Sequence, residues 1–236
     1  MSAQTKFIES VKVTVNKYNG KPVPIEFVMP RWNGKDAPSL DTYYTKPVYV
    51  CAPHFNFPGT AIPCSEVSCC GVYVGKGWAP ERLLYGLKTN VYLLQYKYHC
   101  NNKHCTNYER YENTDTIIRS SRCPKFVTQT YDNLYHLTHK AAVTCEVKSI
   151  ILNDAMTSKG FEDIEYSMKL MQRERYLAVS AEYASAIDWY CQNTNRTQDT
   201  FPEFSAIDDD SGYDSTVPTA DYIIEIFLSK CKPRRC

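Results

Sequence analysis

Cys64-Ser-Glu-Val-Ser-Cys69 and Cys100-Asn-Asn-Lys-His-Cys105 are two C-x4-C pairs with 30 residues between them. Each short loop can hold two thiolates near one cation, and four sulfurs close a tetrahedral Zn²⁺ site. Cys70 follows Cys69 directly and is an alternative ligand. His54, His99 and His104 lie close in sequence, so a Cys3His set is a second option. A four-thiolate site leaves no position for water, so zinc held this way is structural. The chain has no H-E-x-x-H, and no H-x-E followed by P-C-x-x-C. It also lacks a phosphate loop or a recognisable nucleophile–base pair, and the expectation is a protein that is not an enzyme.

The eleven cysteines are an odd number, and Met1–Ile8 carries no apolar signal stretch. Metal therefore accounts for the spacing better than a disulfide framework, and an intracellular location is expected. The remaining cysteines (Cys51, Cys123, Cys145, Cys191, Cys231 and Cys236) show no pair spacing that extends the site, so they read as buried small residues or free thiols. No apolar run approaches the roughly 18 residues of a membrane span.

The interval between the cysteine pairs holds what such a site usually clamps. Glu81–Leu87 and Val91–Tyr98 read as strands joined by a turn at Lys88–Asn90. Loop, hairpin and loop together make a zinc ribbon. Lys46–Cys51 reads as a short strand before a turn at Ala52–Gly59, and Tyr108–Ile118 as a further strand. Ahead of these, Val11–Val15 alternates like a strand. The prolines at 22, 24, 30 and 38 make residues 16–45 an irregular arm, which Phe27 and Trp32 can anchor.

From Thr138 the apolar period changes from two to about 3.6. Thr144 can cap a helix carrying Val147, Ile150, Ile151 and Ala155, which Gly160 ends. Phe161 leads a second helix with Ile164, Met168 and Met171. A third is expected from about Arg173 to Gln192, with Tyr176, Ser180, Tyr183, Ile187 and Tyr190 along one side. Helix, glycine-containing turn and helix is the outline of a helix-turn-helix. Residues 193–218 read as a polar linker containing Asp208–Asp210, and Thr219 opens an amphipathic segment with Tyr222, Ile223, Ile226 and Phe227. The fold class expected is α+β, in four parts: an irregular N-terminal arm (1–47), a zinc-ribbon-like β domain (48–130), a helical, helix-turn-helix-like domain (131–192), and a linker with a C-terminal amphipathic segment (193–236).

The formal charge of +1 hides a gradient. Residues 51–130 carry 9 basic and 5 acidic groups, whereas residues 131–192 carry 6 and 9. In the basic part, Lys97, Lys103 and Arg110 alternate with Tyr96 and Tyr98. Cations in such a row bind phosphates by counterion release, and tyrosine rings stack on exposed bases, so these five residues are the candidate nucleic-acid contacts. The acidic helices and their aromatic stripes suggest the alternative, a protein-interaction module that meets a partner or a second copy.

The string from Val48 to Trp189 resembles a zinc-binding domain found upstream of RNase H-like transposase cores in transposon-derived eukaryotic proteins. The resemblance is carried by Val48-Tyr-Val-Cys-Ala-Pro53, Cys64, Cys69, Gly77-Trp78, Pro80, Tyr96-Lys-Tyr-His-Cys100, Cys105, Leu137-Thr-His-Lys140, Gly160 and Arg175-Tyr176. The looser C-x4-C spacing and Cys51 depart from that pattern and leave Cys69 and Cys70 both open as ligands. The resemblance implies a nuclear DNA-recognition or assembly module with DNA as partner, without the catalytic core that follows in similar proteins.

Overall fold

The computed structural model describes residues 2–18, 20–138, 142–157, 159–204 and 217–231. Its organising element is the strand β5 (Val91–Cys100), ten residues rich in the aromatic and branched side chains that suit a pleated surface. The N-terminal half of β5 lies between β2 (Val48–Cys51), which is parallel to it, and β4 (Arg82–Leu84), which is antiparallel. The C-terminal half pairs antiparallel with β3 (Tyr73–Trp78) and with β6 (Glu112–Asn113). A two-residue strand, β1 (Glu26–Phe27), adds to the outer side of β2. One long strand thus runs out of the protein core and ends on Cys100.

The β4–β5 hairpin forms where the sequence places it, although β4 is shorter than its apolar run. β3 is not evident in the sequence, because Gly75-Lys76-Gly77 resembles a loop. The structure absorbs those residues as a β-bulge between Gly75 and Gly77. The further strand expected at Tyr108–Ile118 shrinks to β6, after which Thr114–Ile118 forms a helix, α4. The Thr114 hydroxyl donates to the Cys51 carbonyl oxygen at 2.7 Å and accepts from the Tyr96 N–H at 3.1 Å, so the chain leaves the sheet there.

Val11–Val15 is helical rather than extended. It lies in α1 (Ala3–Asn16), whose Ser2 side chain accepts from the Thr5 N–H at the N-terminus. Five alternating residues fit a strand locally, but Phe7, Ile8, Val11 and Val15 repeat at helical spacing. Burying that stripe against Val48, Val50 and Leu94 decides the conformation. Val13, which a strand would turn inward with Val11 and Val15, is 50% exposed. Beyond α1 the arm holds β1 and a short helix, α2 (Leu40–Tyr44). Phe27 packs on the sheet cluster, and Trp32 meets the rings of Trp189 and Tyr190. The turn expected at Ala52–Gly59 contains a helical turn, α3 (Pro53–Asn56), tied by Asn56 Oδ1 to the Ala52 N–H at 2.8 Å.

The helix α5 (Lys125–Asp132) and the hairpin β7 (Tyr135–Leu137) with β8 (Ala142–Thr144) connect the two halves. The Tyr85 N–H donates to the Ala142 carbonyl oxygen, and the Tyr85 carbonyl oxygen accepts from the Thr144 N–H. Thr144 then caps α6 (Cys145–Ala155). The two helices expected between Phe161 and Gln192 are one, α7 (Phe161–Thr194), 34 residues without an internal Gly or Pro to interrupt it. Gly160 is the residue preceding α7, not the end of α6, which stops at Ala155. Residues 195–204, expected as linker, return along α7, where Phe201 and Phe204 meet Tyr190, Tyr176 and Tyr183. The last helix, α8 (Ala220–Cys231), buries Ile223 and Ile226 against α6 and α7. The result is a mixed α+β molecule with a sheet and a helical part. Asp208–Asp210 and the basic residues at 232–236 lie outside the described residues. Among the described residues no helix is long and apolar enough to cross a membrane.

Candidate metal centre

β3 and β5 bring the two cysteine pairs together. Tyr73 is opposite Cys100 in the ladder, so the loop before β3 and the loop after β5 meet at the same end of the sheet. The four sulfurs of Cys64, Cys69, Cys100 and Cys105 all lie within 4.8 Å of one another. Cys64 Sγ is 3.6 Å from Cys105 Sγ, and Cys69 Sγ is 3.6 Å from Cys100 Sγ. A tetrahedron with Zn–S bonds of about 2.3 Å has edges of about 3.8 Å, so the donor set and its size fit a four-thiolate site. Cys69 is in the cluster and nearly buried, whereas Cys70 is exposed. None of the three candidate histidines joins it. His54 Nδ1 is 2.7 Å from the Tyr98 hydroxyl, His99 packs beside the rings of Tyr108 and Tyr111, and His104 is exposed.

The sulfurs are surrounded by donors. The N–H groups of Gly71, Asn102 and Asn107 point at Cys69, Cys100 and Cys105, each two residues on from the sulfur it serves. The side-chain amides of Asn102 and Asn107 donate to Cys69 and Cys64. Hydrogen bonds of this kind stabilise thiolate charge and orient the ligands. Thiols this close and free of metal cannot all ionise together. The Gly71 N–H draws Cys69 down to about 7, while burial pushes Cys100 up to about 12.

A further set of residues, not apparent from the sequence, holds the loops in place. Arg122 Nη1 donates to the carbonyl oxygens of Cys64, Glu66 and Cys69. Asn107 is buried and also reaches Ser65 Oγ and the Tyr73 hydroxyl, which donates to Glu112 Oε2. Gly71 passes so close to Cys100 that a Cβ there would lie 2.6 Å from its sulfur. The N–H···S donors follow from the loop spacing. Arg122, 53 residues after Cys69, carries no local signal.

The five candidate nucleic-acid contacts divide. Lys103 and Arg110 are exposed on and after the second loop, and Lys97 is half-buried on β5. Lys76, exposed on β3, comes next to Lys97 through the Gly77–Lys97 pairing. Tyr96 is half-buried among His54, Phe55 and Trp78. Tyr98 is 1% exposed with its hydroxyl at His54, and it is a core residue rather than a stacking surface. Alternation along β5 accounts for this: Tyr96, Tyr98 and Cys100 share one face, and Lys97 shares the other with His99.

Compared with family models, curated proteins and solved structures, the chain matches none.

Proposed function

We propose that the chain is a zinc-stabilised DNA-binding or assembly module of a transposon-derived nuclear protein, without strand-transfer chemistry of its own. The observation that carries this reading is the cluster of four sulfurs with its ring of N–H donors. In this reading Zn²⁺ closes β3 and β5 into a zinc ribbon and has no open position. Lys76, Lys97, Lys103 and Arg110, around the ribbon, contact phosphates. The α6–α7 pair acts as the helix-turn-helix-like part, with α8 as its support.

Metal analysis of the purified chain tests the zinc half: one Zn²⁺ per chain is expected, lost together with the fold in Cys64→Ser or Cys100→Ser. Fluorescence anisotropy with duplex and single-stranded DNA at several salt concentrations tests the other half. Affinity that falls linearly with log salt supports it. The same anisotropy in a chain that binds no zinc removes the ribbon from the account.

A second reading rests on α7. Tyr166, Leu170 and Leu177 are 63%, 49% and 55% exposed, on the face of the helix opposite Ile164, Met168 and Val179. An apolar stripe of this kind suits a protein partner or a second copy of the chain. Sedimentation showing a dimer, with no retention of DNA, would favour it.

A further inference from the structure

The four sulfurs are held as two pairs, and each pair joins one loop to the other. Asn107 donates its backbone N–H to Cys105 Sγ and its side-chain amide to Cys64 Sγ, both at 3.4 Å. Asn102 repeats the arrangement, with its backbone N–H on Cys100 Sγ at 3.4 Å and its side-chain amide on Cys69 Sγ at 3.5 Å. The sulfurs that share an asparagine are also the ones in contact at 3.6 Å, Cys64 with Cys105 and Cys69 with Cys100. Among the described residues, Cys64 and Cys69 share no donor, and neither do Cys100 and Cys105. A disulfide needs about 2.05 Å between sulfurs, an approach that side-chain rotation supplies.

The pairs differ in access. Cys105 is half-buried, whereas Cys64, Cys69 and Cys100 are buried. Cys69 also accepts a second N–H, from Gly71, which draws charge from its sulfur. Cysteine oxidation follows thiolate character and exposure, so Cys105 reacts first. Cys64 is the thiolate in place to answer it.

We propose that the cluster is a peroxide-responsive metal site whose sulfurs join across the loops, Cys64 to Cys105 first and Cys69 to Cys100 second. The proposal rests on the zinc reading above. The Cys105 thiolate attacks one oxygen of hydrogen peroxide and the O–O bond breaks. A sulfenic acid forms on Cys105, and hydroxide leaves and takes a proton from solvent. The Cys64 thiolate then attacks the Cys105 sulfur, the S–S bond forms, and a second hydroxide leaves to become water. Two sulfurs are oxidised, and one peroxide is reduced to two waters. The two thiolates that remain cannot hold a four-coordinate metal, and they react with a second peroxide in the same way. Both bridges link the loop before β3 to the loop after β5, so this end of the sheet stays closed in the oxidised chain. Reduction of the bridges restores the four-thiolate site.

The test adds hydrogen peroxide to the zinc-loaded full chain and follows metal release with a chromogenic chelator. After the remaining thiols are blocked, bridges are mapped by mass spectrometry without reduction. Trypsin and a glutamate-specific protease cut at Lys103 and Glu66, between the two cysteines of each loop. The expected result is loss of one zinc per chain, with Cys64–Cys105 in early samples and Cys69–Cys100 added in later ones. Dithiothreitol with zinc should return the metal content to its starting value. Cys70 is exposed beside the cluster, so Cys70→Ser keeps the fold and is expected to give the same release and the same bridges. Bridges within a loop, Cys64 to Cys69 or Cys100 to Cys105, overturn the proposal. So do bridges to Cys70, or zinc that stays bound while Cys70 is oxidised. A chain that takes up no zinc fails the metal reading itself, and the proposal with it.

Discussion

Arg122 Nη1 lies 2.7 Å from the carbonyl oxygen of Cys69, a residue 53 positions earlier in the chain, and reaches the carbonyls of Cys64 and Glu66 as well. One side chain from the stretch after α4 thereby sets the shape of the first cysteine loop. Arg122→Ala is expected to leave the four sulfurs in place but the loop unbraced. Zinc affinity, measured by competition with a chelator, should fall about 10–100-fold, the usual cost of losing a residue that supports metal ligands. Unchanged affinity would show that the loop holds itself.

Gly71 and Gly77 make a matched pair for a second prediction. A Cβ at Gly71 would meet Cys100 Sγ at 2.6 Å and Asn101 Oδ1 at 2.9 Å, whereas one at Gly77 would meet nothing within 4 Å. Gly71→Ala should destabilise the fold by about 1–3 kcal/mol through overpacking, and Gly77→Ala much less. Urea unfolding of both variants with metal present measures the difference, and equal midpoints would contradict the close approach.

Replacing Lys97 and Lys103 together by Gln bears on the nucleic-acid reading. Two lost phosphate contacts should reduce the slope of log K against log salt by about 1.8 for duplex DNA, with affinity falling at low salt. Salt-series anisotropy provides both numbers. An unchanged slope would move the contact surface elsewhere.

His54 supplies a pH dependence. Burial among Phe55, Tyr96 and Tyr98 lowers its pKa to about 4, below the ordinary 6.5 of an unfolded histidine. Between those values the unfolded chain binds more protons than the folded one. The stability that His54 contributes is therefore present above pH 6.5 and is lost as pH falls towards 4. His54→Gln, which can still hydrogen-bond to the Tyr98 hydroxyl, should flatten this part of the profile. The readout is the change in urea midpoint between pH 7 and pH 5, compared in variant and wild type. An equal change in both would rule out His54 as the source.

The sequence by itself carried the two cysteine pairs, the β4–β5 hairpin, the Thr144 cap and the apolar stripe of α8. Each is decided within a loop, a turn or a few turns of helix, where spacing and residue type act locally. Tertiary structure decided the rest. Cys69 and Cys70 are equivalent as neighbours in a loop, and the pairing of β3 with β5 selects the one that points at Cys100. Tyr96 and Tyr98 look alike in a basic run, but the face of β5 that carries Cys100 also carries Tyr98 into the interior and leaves Tyr96 half-buried among other rings. Val11–Val15 alternates like a strand until Phe7 and Ile8 join it in covering β2. In each case the deciding contact joins residues that the local pattern leaves unrelated, and burying apolar surface across that distance outweighs local preference.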